Sequence, residues 1–69
     1  MNESIIEIGS MTYAIKAKKC LQRAGIPAET VKTANSPLGC VYGVRIPYRA
    51  IFDARAVLIR CGIEYHSAN

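Results

Sequence analysis

The segment AKKCLQRAGI at residues 17–26 recurs as ARAVLIRCGI at residues 54–63, and this repeat determines the fold that the sequence predicts. Each residue of the first copy aligns with the residue 37 positions later. Such self-similarity is typical of one supersecondary unit that is used twice. The identical aligned residues are Ala17 and Ala54, Leu21 and Leu58, Arg23 and Arg60, Gly25 and Gly62, and Ile26 and Ile63.

The first copy lies in a segment whose pattern predicts a strand, a helix and a second strand. The β-branched run SIIEI at residues 4–8 predicts the first strand. Apolar residues at steps of three and four predict a helix that Ser10 or Thr12 caps and that Gly25 ends. The more polar AETVKT at residues 28–33 predicts a second strand at a sheet edge.

The second copy lies in a segment with the same order of elements. CVYGVRI at residues 40–46 predicts a strand. Pro47 ends this strand and starts a helix, which Gly62 ends. IEYH at residues 63–66 predicts the last strand.

The two βαβ units predict an α+β fold of the ferredoxin-like βαββαβ type. They cover about residues 4–33 and 40–66 and form a single domain over residues 1–69, which is enough chain for one hydrophobic core. Their compact arrangement is a four-stranded antiparallel sheet of order 4-1-3-2 with both helices on one face. Right-handed crossovers are compatible with this order.

The composition indicates a folded chain in a reducing compartment. Hydrophobic residues make up 51% of the chain, which argues against a disordered tail. The N-terminus lacks the basic and apolar regions of a signal peptide, and no apolar run is long enough to span a bilayer. We therefore expect a cytoplasmic protein with reduced thiols and no membrane partner. A formal charge of +4 is compatible with acidic partners and equally with ordinary solubility.

Three cysteines, Cys20, Cys40 and Cys61, offer the most reactive side chains of the sequence. They form no C-x-x-C motif, so neither a zinc knuckle nor a dithiol motif is indicated. Cys20 lies beside the apolar stripe of the first helix, which favours a packing role. Cys61 ends the second helix and could resolve an oxidised Cys40, although a helix C-terminus disfavours a thiolate. His66 is the only histidine, and we expect no metal and no other cofactor.

The predicted topology places Cys40 at the rim of the sheet. The hairpin loop at residues 35–39 and the start of the first helix lie at the same end, and Cys40 opens the third strand beside the first. We expect Cys40 to face the helix-covered side, near backbone amides that favour a thiolate. These amides belong to Ser10, Met11 and Thr12. An exposed reactive thiol and an inert small residue at a strand start are both compatible with this position.

The uncovered face of the predicted sheet carries Ile5, Glu7, Val41, Gly43 and Arg45. We expect a cross-strand ion pair between Glu7 and Arg45. The apolar residues make this face a candidate homodimer surface. It offers no aromatic ring on which RNA bases would stack, so a nucleic-acid partner is not expected.

The whole pattern resembles the selenium/sulfur carrier protein-like family of small bacterial proteins. The resemblance covers about residues 4–65 and is carried by SMTYAIKAKKCLQRAGIP, SPLGC and ARAVLIRCGIEY. In that family a loop with serine and glycine precedes a cysteine, and the matching residues are Ser36, Gly39 and Cys40. Val41 departs from the family, whose members often have a second glycine there, and PYRAIFD replaces an acidic start of the second helix.

The resemblance implies a thiol carrier or accessory protein more than a complete enzyme. Cys40 would hold sulfur or selenium and pass it to a sulfur- or selenium-handling enzyme. The loop residues Ser36 and Gly39 and the start of the first helix would support this thiol. The alternative is a non-catalytic ferredoxin-like binding or regulatory module that acts as a dimer.

Overall fold

A computed structural model of the chain describes residues 2–36 and 39–68. It confirms the α+β class, with antiparallel strands and two helices. The elements are β1 (Glu3–Gly9), α1 (Met11–Arg23), β2 (Glu29–Ser36), β3 (Gly39–Pro47), a 3₁₀ turn (Tyr48–Ala50), α2 (Ile51–Arg60) and β4 (Ser67–Ala68).

Three long strands form the body of the sheet. β3 lies between β2 and β1 and pairs antiparallel with both. β4 adds two residues at the other side of β1, so the strand order is β2-β3-β1-β4. Alternate residues of the central strands point into the core, including Ile6, Val44 and Ile46, each 0–1% exposed.

The prediction of a last strand at residues 63–66 is wrong in position. Only Ser67 and Ala68 pair with β1, opposite Glu7 and Ile6. Ile63 is instead buried in the core, and its backbone N–H donates to the oxygen of Leu58 at the end of α2. Residues 63–66 therefore terminate α2 and lead the chain back to the sheet.

The sequence repeat corresponds to one helix ending that is built twice. Gly25 has φ +85°, in the left-handed region that favours glycine, and its N–H donates to the oxygen of Gln22. The backbone N–H of the next residue, Ile26, donates to the oxygen of Leu21. The two hydrogen bonds form a Schellman motif, in which Leu21 and Ile26 occupy the two apolar positions. The equivalent residues at the end of α2 are Gly62, Ile63, Ile59 and Leu58.

The start of α1 follows one of the two predicted caps. Ser10 is the N-cap, and its Oγ accepts a hydrogen bond of 3.2 Å from the backbone N–H of Tyr13. The start of the second helix differs from the prediction, because Pro47 is the last residue of β3 and a 3₁₀ turn precedes α2. Within the described residues, neither helix is long and apolar enough to cross a membrane.

Candidate thiol sites

Cys40 is the second residue of β3 and is exposed. The pairing of β2 with β3 extends closer to the turn than predicted, because it continues to Ser36 opposite Gly39. Cys40 therefore lies within a two-stranded ladder opposite Asn35, and not in an open loop. The side chain of Ser36 lies outside what the structure describes, as do Pro37 and Leu38.

The ladder that holds Cys40 extends beyond the end of β1. The last pair between β1 and β3 is Gly9 opposite Tyr42, whereas β2 stays paired with β3 through the three residues before Tyr42. Cys40 lies two residues past that last pair, a distance of about 7 Å along a strand. We call this part of the hairpin, residues 34–36 and 39–41, the hairpin extension.

Three predicted supporting residues lie at the start of α1. Ser10 is occupied as the N-cap, Met11 is 48% exposed, and Thr12 is exposed in the first turn. The structure places these residues directly after the end of β1, at the same end of the sheet as the hairpin extension. A contact between their amides and Cys40 stays a prediction. The strand register places Asn35 opposite Cys40 and Ser36 opposite Gly39.

Thr33 lies at the base of the hairpin extension and was not singled out in the sequence. It occupies a register shift in β2, between Lys32 and Ala34. Its Oγ1 lies 3.1 Å from the backbone oxygen of Val41 and 3.3 Å from Oε2 of Glu7. Thr33 thus connects β2 to both other long strands where the extension leaves β1. Threonine is common in strands, so the sequence does not distinguish Thr33 from other strand residues, and its position at the register shift is evident only from the strand pairing.

Cys20 and Cys61 form a disulfide bridge, so the expectation of reduced thiols is wrong for this pair. Their Cα atoms are 6.8 Å apart and 41 residues separate them in sequence. The bridge joins α1 to the residue that caps α2, and it pairs Cys61 with Cys20 instead of Cys40. Cys20 does have the predicted packing role, since it is 7% exposed, whereas Cys61 is exposed. Neither residue has a cysteine at its aligned position in the repeat, so the repeat gave no signal of this pairing.

A groove of about 290 Å³ opens over the bridge. Three cations from successive turns of α1 line it, together with the two cysteines and one apolar side chain, and no acidic residue is among the lining residues. The lining residues are Lys16, Lys19, Cys20, Arg23, Cys61 and Ile63. The groove therefore combines a disulfide with an electropositive wall.

The uncovered face of the sheet is more charged than predicted. The prediction of an ion pair between Glu7 and Arg45 is wrong, because the register places Glu7 opposite Gly43. Arg45 instead pairs with Glu29 on β2 and, at 3.6 Å, with Glu3 on β1. Charged side chains from all three long strands thus occupy this face.

The large exposed hydrophobic residues lie on the opposite side, in the helical layer. Among the described residues they are Met11, Tyr13, Ile15, Tyr48, Phe52 and Ile59. The homodimer surface expected on the open sheet therefore stays a prediction without support from exposed apolar side chains.

His66 lies at the end of the segment that leads into β4. Its side chain is exposed, and its backbone N–H donates a hydrogen bond of 2.9 Å to the oxygen of Glu7. In the part of the chain that the structure describes, no three His, Cys, Asp or Glu side chains are grouped as a metal site would require.

Comparisons with known proteins find no relative for this chain. No family model matches it, and neither the curated proteins nor the solved structures contain a match. The function is therefore argued from the thiol sites themselves.

Proposed function

We propose that the protein is a carrier that holds a sulfur or selenium atom on Cys40 and passes it to a partner enzyme. The observation that carries this proposal is the exposure of Cys40 on a hairpin extension that projects past β1. A carrier thiol must enter the active site of a donor and then of an acceptor. A cysteine near the end of a projecting hairpin meets this need without a substrate pocket of its own.

The transfer is a thiol exchange at the outer sulfur of a persulfide. The thiolate of Cys40 attacks the terminal sulfur of a persulfide on the donor enzyme, the sulfur–sulfur bond of the donor breaks, and the donor cysteine leaves as a thiolate. Cys40 then carries the sulfur as its own persulfide. In the second step an acceptor nucleophile attacks that terminal sulfur and Cys40 leaves as the thiolate. Selenium follows the same course through a selenosulfide.

The strand order of the fold is also compatible with the proposal. A ferredoxin-like arrangement is compatible with the observed order β2-β3-β1-β4, in which β4 is reduced to two residues. This fold type hosts many functions, so a carrier role depends on the site and not on the fold. The resemblance of Ser36, Gly39 and Cys40 to the carrier-like family points to the same residue. This chemistry requires Cys40 to be a reduced thiol, and Cys40 lies outside the Cys20–Cys61 bridge.

The test is sulfur transfer from a cysteine desulfurase. The protein is incubated with the desulfurase and cysteine, and each cysteine peptide is analysed by mass spectrometry without reductant. We expect the mass of one sulfur atom to be added to the Cys40 peptide. The Cys40→Ser variant should acquire none, while the Cys20→Ser/Cys61→Ser variant should acquire as much as the wild type. Sulfur absent from Cys40, or equally present in the Cys40→Ser variant, would remove the proposal.

A further inference from the structure

The bridge between Cys20 and Cys61 is unequal in its exposure to solvent. Cys20 is 7% exposed and its Sγ lies 4.0 Å from the backbone oxygen of Val57, under the packed surface of the two helices. Both cysteines line the groove, but Cys61, at the end of α2, is exposed. A nucleophile from solvent therefore reaches one sulfur of the bridge more readily than the other.

Positive charge is concentrated on the side of the molecule that carries this groove. Seven of the nine lysine and arginine residues lie on α1, the 3₁₀ turn and α2, where Asp53 is the only acidic residue. The sheet carries the remaining two, with three glutamates. The seven are Lys16, Lys18, Lys19, Arg23, Arg49, Arg55 and Arg60. An anion approaching the helical layer is thus attracted, and Lys16, Lys19 and Arg23 hold that charge at the groove itself.

We propose that the groove is a thiol–disulfide exchange site at which small anionic thiols, such as a carboxylate-bearing peptide thiol, open the Cys20–Cys61 bridge. This assigns the bridge a role separate from the carrier function of Cys40. The cations of α1 raise the local concentration of the anionic thiol. The exposed Sγ of Cys61 is the atom that it attacks.

The exchange proceeds in two balanced steps. The thiolate of the small molecule attacks Sγ of Cys61, the bond between the two protein sulfurs breaks, and Cys20 leaves as a thiolate that takes a proton from water. A second small thiolate then attacks the small-molecule sulfur of the mixed disulfide, and Cys61 leaves as a thiolate. Two thiols are oxidised to one small disulfide, and the two cysteines of the protein gain the two electrons.

Reduction would disconnect the two helices at one point. The bridge holds the residue after α2 against the third turn of α1, and the chain continues from there through Ile63 into β4. Reduction removes this covalent link, so that the contact between α1 and α2 then depends on buried side chains such as Leu21 and Leu58. The bridge is thus a redox-sensitive connection between α1 and the end of α2, from which the chain leads to β4.

The test compares an anionic with a neutral thiol as reductant. The opening rate is followed for 2-mercaptoethanesulfonate and for 2-mercaptoethanol, by quenching with an alkylating reagent and measuring the modified Cys20 and Cys61 peptides. A substitution that changes the reactivity of the bridge itself alters both opening rates alike. The ratio of the anionic-thiol rate to the neutral-thiol rate therefore reports the effect of charge. The groove variant is Lys16→Gln/Lys19→Gln. The matched control is Lys32→Gln/Arg49→Gln, which removes the same charge away from the groove.

We expect the anionic-to-neutral rate ratio to fall on the order of fivefold in the groove variant, the effect of losing roughly one close charge contact in water. The ratio should stay near the wild-type value in the control variant, and added salt should lower the wild-type ratio toward that of the groove variant. An equal fall in both variants, or no fall in either, would overturn the proposal. So would the finding that Cys20 and Cys61 are both thiols in protein purified without reductant.

Discussion

Cys40 and the Cys20–Cys61 pair are the same type of residue in contrasting surroundings and bonding states. Cys40 is exposed on the hairpin extension, where β3 is paired with β2 beyond the last pair between β3 and β1. The bridged pair lies in the helical layer, with Cys20 buried and Cys61 exposed, and both residues line a groove that also carries three cations. The first arrangement suits contact with large partners, whereas the groove of about 290 Å³ over the bridge is of a size that suits a small molecule.

This difference separates two kinds of cysteine chemistry within one small domain. A thiol that enters the active sites of other proteins must lie on a projecting segment. The local stability of that segment can be low, because the hydrophobic core does not depend on it. A bridge that stabilises the domain needs rigid attachment points, and here these are a buried turn of α1 and the cap of α2.

Removing the bridge should cost the most stability. In the chain-entropy model, a disulfide that links residues 41 apart stabilises the folded state by about 4 kcal/mol. We expect Cys20→Ala/Cys61→Ala to lower the free energy of unfolding by that order, as measured by urea denaturation. Wild-type protein treated with reductant should show a similar loss.

The matched control for the bridge is Cys40→Ala in the hairpin extension. Because Cys40 is exposed, its truncation should change stability by less than about 0.5 kcal/mol. If Cys40→Ala were as destabilising as the double variant, the contrast between the two regions would not hold.

Strain at the start of β3 should produce the next largest effect. Gly39 has φ +127°, which residues with a Cβ rarely adopt, and a Cβ there would meet no atom within 4 Å. The cost of Gly39→Ala is therefore conformational, and we expect a loss of about 2 kcal/mol in urea denaturation. Ala34→Ser, on the facing strand of the extension, should leave stability nearly unchanged. A Gly39→Ala variant as stable as wild type would show that the hairpin backbone differs from the one described.

The anchor at the base of the extension should give the smallest effect. Thr33→Val keeps the shape of the side chain and removes the hydroxyl that lies 3.1 Å from the oxygen of Val41. We expect a loss of about 1 kcal/mol, together with faster amide hydrogen exchange in the hairpin extension. Thr30→Val, earlier on β2 and opposite Val44, is the control and should not accelerate that exchange. Exchange rates that were equal in the two variants would exclude Thr33 as the anchor.

The parts of the fold that were predicted correctly depend on local patterns. The repeated leucine, glycine and isoleucine at the helix ends specify a Schellman motif by themselves, and alternation in β3 identifies Val44 and Ile46 as core residues. The prediction was wrong where a local pattern competes with tertiary packing. Ile63 has the β-branched side chain of a strand residue, yet it is buried beneath the end of α2 and β4 begins only at Ser67.

The candidate sites follow the same division. The position of Cys40 next to a turn can be inferred from sequence, because glycine, serine and proline precede it. The bridge could not be inferred, because the distance between Cys20 and Cys61 depends on how α1 packs against α2. The partners of Arg45 could not be inferred either, since they depend on the register between strands.

Alkylation under native conditions distinguishes the exposed Cys40 from the bridged cysteines Cys20 and Cys61. The purified protein is treated with iodoacetamide at neutral pH without reductant, and the cysteine peptides are compared with those of protein that was first reduced and denatured. The account predicts one label per chain, on Cys40, before reduction and three labels afterwards. Labels on Cys20 and Cys61 before reduction, or an unlabelled Cys40, would contradict it.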